Sequence, residues 1–164
     1  MATPTYSLID SISIGSSTPS VTFSTLTQDY RDLVVNWQTL CGAGSQTLVR
    51  LNNDSGGNYH QTQIVTYNAN NYVGQSNGDT YYRTERIIAG QSAMENTELT
   101  IMDYSATDKN KCIFSRVTEV SSSNGRNAVA SGRWQSNAAV TSITIFNSNN
   151  FVSGDSIHIY GIEA

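Results

Sequence analysis

The sequence predicts an all-β chain: a single antiparallel β-sandwich, of jelly-roll type, with about ten short strands. Three observations predict it. Apolar residues recur at period two in short runs, so alternate side chains of an extended backbone share one face. Turns rich in Gly, Asn, Asp and Ser separate the runs at the roughly 8–12-residue spacing of sandwich proteins. No window carries a sustained 3.6-residue stripe, and residues 89–98 allow one helical turn at most. The 164 residues suit one domain, spanning 1–164, with a core of its own.

Each element follows from the same grammar. Residues 5–14 open with Tyr6, Leu8, Ile12 and Ile14 assigned to one face. Residues 15–19 turn the chain, with Pro19 placed where a missing N–H costs little, and Val21 and Phe23 mark a short second strand. Residues 30–59 are the organising stretch. Leu33, Val35 and Trp37 alternate with Val34, Asn36 and Gln38, residues 41–45 supply a turn, and residues 48–51 begin a return strand as in a hairpin. Residues 52–58 (NNDSGGN) break it with types that tolerate positive φ.

Residues 60–67 alternate again, whereas residues 68–79 are polar without apolar periodicity and read as a long exposed loop. Residues 80–89 return to strand character. Residues 98–104 form a strand containing Asp103, and residues 111–120 form the next. Asn124-Gly125 signals a hairpin to a partner strand over residues 127–135. Residues 140–146 and 157–162 close the chain, with residues 147–155 as the connection.

Composition excludes several classes. Charged residues are only 13% of the chain, well below the roughly 25% of average proteins, and Ser, Thr, Asn and Gln fill the deficit. The net charge of −4 and scattered Lys and Arg give no basic footprint for nucleic acid. No run approaches the roughly 20 apolar residues of a membrane helix, and residues 1–10 have no signal-peptide pattern. The two cysteines, Cys41 and Cys112, fit no disulfide framework and are read as buried or half-buried thiols.

No constellation carries a reaction. Asn53-Asp54-Ser55-Gly56-Gly57 looks like a nucleophile segment, but no His precedes Ser55, and the stretch reads as a Gly-rich turn. Asn53, Asp54, Asn58 and Asp79 are oxygen donors without EF-hand alternation, and His60 and His158 lack zinc spacing, so no metal and no cofactor is expected. Asp29, Asp32 and Asp103 give no acid pair identifiable from sequence. The remaining signal is aromatic. The chain has nine Tyr, and Tyr67, Tyr72, Tyr81 and Tyr82 flank the polar stretch with Asn70 inside it, a candidate contact surface. Trp37 and Trp134 are expected in the core.

Residues 30–33 (YRDL), 48–59 (LVRLNNDSGGNY), 102–111 (MDYSATDKNK), 131–146 (SGRWQSNAAVTSITIF) and 150–162 (NFVSGDSIHIYGI) together resemble small tail-end and capsid-surface proteins of tailed bacteriophages, including those of cyanobacteria and marine bacteria. The resemblance implies a non-enzymatic β-sandwich carried on a virion. One form is a decoration (cement) protein, a dimeric or trimeric homo-oligomer that binds the major capsid protein outside the head, made in the host cytoplasm during assembly. The other is a tail- or fibre-associated receptor-binding module for host surface glycans. The first is favoured because the globular pattern starts within a few residues of Met1, leaving no room for a stalk.

Overall fold

Alternation of buried and exposed side chains runs through the whole chain, and the strands follow it. A computed structural model describes residues 5–41, 46–68, 70–84, 93–120 and 125–163, excluding the side chains of residues 41 and 93. Among the described residues there are twelve strands and no helix. They are β1 (Tyr6–Ser13), β2 (Thr18–Phe23), β3 (Asp32–Cys41), β4 (Thr47–Leu51), β5 (Tyr59–Tyr67), β6 (Asn70–Asp79), β7 (Tyr82–Arg83), β8 (Ala93–Met102), β9 (Lys111–Val120), β10 (Gly125–Trp134), β11 (Ile143–Phe151) and β12 (Ser156–Ile162). All ladders are antiparallel. The large sheet has the order β1-β12-β3-β8-β9-β10-β5-β6, and the small one β2-β11-β4-β7. The fold is an all-β sandwich of jelly-roll type, as the sequence predicts.

The core lies between the inner faces. On the small sheet Phe23, Ile143 and Leu51 align across three strands, as do Val21, Ile145 and Val49. Facing them on the large sheet are Leu33, Ile101 and Ile113, with Val35 beside Leu99. Trp37 and Trp134 are both buried, as expected. Each fully buried Leu, Ile or Phe side chain supplies about 1.5–3 kcal/mol, so these aligned sets are what fix the registers. Along the strands the interior turns polar. Glu95, Glu119 and Arg126 stand in register across β8, β9 and β10, all buried. Arg126 pairs with Glu119 and with Glu95 at 3.6 Å. Burial raises the Glu119 carboxyl above its ordinary range, while Arg126 pulls it back.

Several expectations are corrected. Residues 30–51 do not form a hairpin, because β3 and β4 belong to opposite sheets. Both strands need their apolar face in the core, and alternation alone does not say which sheet supplies it. Tyr6 and Leu8 are not on the face of Ile12: the register shifts between Leu8 and Asp10, and the extra residue turns Tyr6 and Leu8 outward. Pro19 lies within β2, an edge strand, where a lost N–H is tolerated.

Residues 70–79 are strand β6 rather than a loop. Of the expected strand over residues 80–89 only β7 is described, and residues 85–92 lie outside the described set. Residues 93–98, the later part of the allowed helical turn, are extended in β8. Asp103 follows β8 in a turn at φ 49°, and β11 runs on to Phe151 through the expected connection. Cys112 is exposed, because its neighbours Lys111 and Ile113 take the inner face of β9. The thiol of Cys41 and the turns at residues 42–45 and 121–124 lie outside the described residues.

Candidate functional site

The two sides of the large sheet offer different surfaces. On its outer face, lateral rows of side chains cross all eight strands in register. One row runs Ser13, Ser156, Gln38 and Asn96, then Thr118, Asn127, Thr66 and Asn71. Every member is an uncharged amide or hydroxyl. Hydrogen bonds join Gln38 Nε2 to Asn96 at 3.0 Å, Thr118 to Asn127 at 3.2 Å, and Thr66 to Asn71 at 2.9 Å. At about 4.8 Å per strand the row spans about 34 Å.

The adjacent row begins Ser11, His158 and Asn36, passes through Glu98 and Arg116, and ends Val129, Ile64 and Val73. Glu98 and Arg116 neutralise each other at 3.1 Å. Between the two rows lies a shallow trough of ≈ 490 Å³, floored by Asn36, Gln38, Asn96, Glu98, Arg116 and His158. The apolar end of the row is exposed, Val73 at 75% and Ile64 at 59%. Next to it a depression of ≈ 480 Å³ is walled by Met102, Cys112 and Phe114 and reaches Gly132. Gly132 is bare for a steric reason, since a Cβ there would collide with the His60 carbonyl.

The inner face opens at the same end of the sheet, behind β5 and β6. β7 lies over β5 and β10. It is held there by Gln61, which bonds the Arg83 backbone in both directions at 2.7 and 3.0 Å. β6 reaches beyond this cover. Gln63, Gly74, Ser76, Gln46 and Arg83 line a cleft of ≈ 540 Å³. The Arg83 guanidinium lies 4.8 Å from the Tyr81 ring centroid and bonds Asp79, Gln46 and the Tyr81 hydroxyl at 3.2–3.3 Å.

Of the predicted contact residues, Tyr67, Asn70 and Tyr72 come together. Tyr67 and Asn70 are cross-strand partners, and Tyr72, partner of Val65, shares their side of the β5–β6 hairpin. Tyr81 is half-buried beneath Arg83. Tyr82 is not a contact residue. It is fully buried, and its hydroxyl bonds Ser115 and the Ala130 carbonyl at 3.0 Å. Adjacent tyrosines in a strand must face opposite ways, and the core takes the second.

The tempting motifs have structural employment. Asp54 accepts from Gly56 and Asn58 at 2.8 Å and from the Trp134 indole at 2.6 Å, pinning the 52–58 turn. Both ring nitrogens of His60 meet Asn77 and Gln135 rather than Ser55. Asp32 accepts from Arg31 and from the Asp103 backbone. Among the described residues no three His, Cys, Asp or Glu cluster as a metal site would require. The outer-face rows escaped sequence reasoning. Their signal was present in the exposed members of each alternation, but the register that aligns them is not written in any one strand.

No family model and no curated protein matches the chain. Solved structures similar to it include a galectin, LEC-6 of Caenorhabditis elegans, at 9% identity and TM-score 0.40, covering 100% of this chain and 99% of that one. A PL-14 alginate lyase from Aplysia kurodai is similar at 11% identity and TM-score 0.35, covering 83% of this chain and 72% of its own. The likeness is of fold alone. It carries no site residue into this chain.

Proposed function

We propose that this chain is a non-catalytic virion surface protein of the decoration type, which docks on the assembled head through the outer face of its large sheet. One observation carries the reading: that face joins an exposed apolar corner to a wide row of uncharged hydrogen-bonding side chains. Val73, Ile64 and Val129 lie side by side, with Phe114 diagonally next to Val129, and the charged pair within the rows is internally neutralised. Protein interfaces have this composition, apolar and poor in unpaired charge at the centre. The resemblance of residues 102–111, 131–146 and 150–162 to phage surface proteins supplies the partner class. Binding to the lattice but not to free subunits then stabilises the shell by mass action.

The test is co-sedimentation with empty heads, using Ile64→Lys and Val129→Lys. Both substitutions are on the solvent side of the sheet, so the melting temperature should hold while co-pelleting falls at least tenfold. Undiminished co-pelleting by both variants would remove the outer face from the contact.

A second reading has its own observation. The trough over Asn36, Gln38 and Asn96 is neutral and presents amide groups that bond sugar hydroxyls, which suits an extended host polysaccharide lying across the strands. In that case Asn36→Ala with Gln38→Ala would abolish retention on immobilised polysaccharide and leave shell binding intact.

A further inference from the structure

We infer that the inner cleft between β6 and β7 is a separate binding site for a neutral saccharide unit. Two polar atoms on its wall are left unsatisfied by the fold. Gln63 is 7% exposed and its Oε1 has no hydrogen-bond partner; the same holds for the Oγ of Ser76, a half-buried residue whose hydroxyl oxygen is turned away from solvent. Both residues line the ≈ 540 Å³ cleft. Buried polar groups are nearly always paired, and one left unpaired costs stability. The chain gives up stability at two neighbouring points on one wall of one cleft.

The backbone is arranged to permit this. Gly74 is the cross-strand partner of Gln63. A Cβ at Gly74 would lie 3.2 Å from Gln63 Cγ and 3.3 Å from its Nε2, so the bare glycine lets the amide lie flat over β6. The opposite wall is the Arg83 guanidinium, held by Gln46, Asp79 and the Tyr81 ring.

These groups define the ligand chemistry. Gln63 Oε1 requires a donor, and the Ser76 hydroxyl donates or accepts. A carboxylate is acceptor-only and would place its oxygens against the Gln63 oxygen, and a phosphate, although it keeps a P–OH donor near neutral pH, brings mainly charged acceptor oxygens. The charge of either would also find Arg83 already paired with Asp79 at 3.3 Å. A hydroxyl both donates and accepts without charge, so a ring bearing adjacent hydroxyls satisfies both walls. The site does not depend on either reading of the outer face.

The experiment is saturation-transfer NMR and calorimetry on the full chain. The probes are neutral hexoses and disaccharides, the corresponding uronic acids, and inorganic phosphate. At least one neutral saccharide should bind. Gln63→Leu, which removes the unpaired oxygen, should weaken that binding at least tenfold while raising Tm by about 2–4 °C. Gly74→Ala and Ser76→Ala provide the same binding test should Gln63→Leu fail to fold, and each should weaken binding several-fold. A structural role would instead make Gln63→Leu less stable and leave binding unchanged, which overturns the proposal. So would the absence of any saccharide binding, or a preference for uronate or phosphate. Shell co-sedimentation should be unaffected by these variants, so failure here and failure of the docking reading are separable.

Discussion

Asp54 shows how much one side chain can hold. Burial alone would raise its carboxyl, but the bonds from Trp134, Asn58 and Gly56, with Arg50 nearby, outweigh that and keep it below the ordinary value of 3.8. A carboxyl depressed in the folded state contributes stability that is complete above its unfolded value and is lost as pH falls through the folded one. The wild type should therefore exceed Asp54→Asn in urea midpoint at neutral pH, and the gap should close below about pH 3.8. Urea melts of both proteins across pH 2–7 read this directly, and a gap independent of pH would remove the charge from the account. At this scale the sequence was partly legible. Trp37 and Trp134 announced themselves as core residues by size and alternation. Tyr82 did not, because a pair of adjacent tyrosines leaves open which one turns inward.

At the scale of the element, legibility tracked one-sided burial. β9 is legible over its whole length, Lys111–Val120, because its inner positions are buried and its outer positions exposed without interruption. β6 is not legible as a strand, because it is the edge strand, beyond the cover of the small sheet, so most of its positions on either face are exposed and no apolar period is written into it. The hairpin wrongly drawn from β3 to β4 has the other cause, since two strands can share a pattern and sit in different sheets. Reading residues 70–79 as a strand reverses what an insertion there should do. One residue added between Tyr72 and Val73 flips every later side chain of β6 relative to β5, and should lower Tm by several degrees. The same insertion between Ser16 and Ser17, in the exposed turn after β1, should leave Tm nearly unchanged. Equal melting of the two insertion variants would mean that the β5–β6 ladder contributes little.

Taken whole, the molecule is a wide sheet half covered by a narrow one, and its surfaces follow from that mismatch. The outer face of eight strands is broad enough for lateral rows, while the uncovered inner face of β6 leaves the cleft. Few charges act at long range, since the net charge is −4 over 164 residues and Glu98 and Arg116 are paired. Docking through such a face should lose less than threefold in affinity between about 0.1 and 1 M salt, a range over which the screening length falls from about 10 to 3 Å. Titration of labelled protein onto shells at both ionic strengths measures it, and a loss of a hundredfold would move the contact to a charged surface elsewhere. The whole-molecule arrangement was the least legible level, because sheet order depends on pairings between residues more than a hundred positions apart.

The place of β12 has a consequence in time. It lies between β1 and β3, so the earliest strand has no neighbour until the latest is made. On the ribosome, β3 can pair with β8 on one side while its other edge waits, with Leu33, Val35 and Trp37 already committed to an interior that is not yet closed. Synthesis must deliver residues 156–162 before the large sheet becomes continuous. Termination before residue 156 would leave an open seam beside β3, and the nascent chain would meet its chaperones, or its own copies, along that seam.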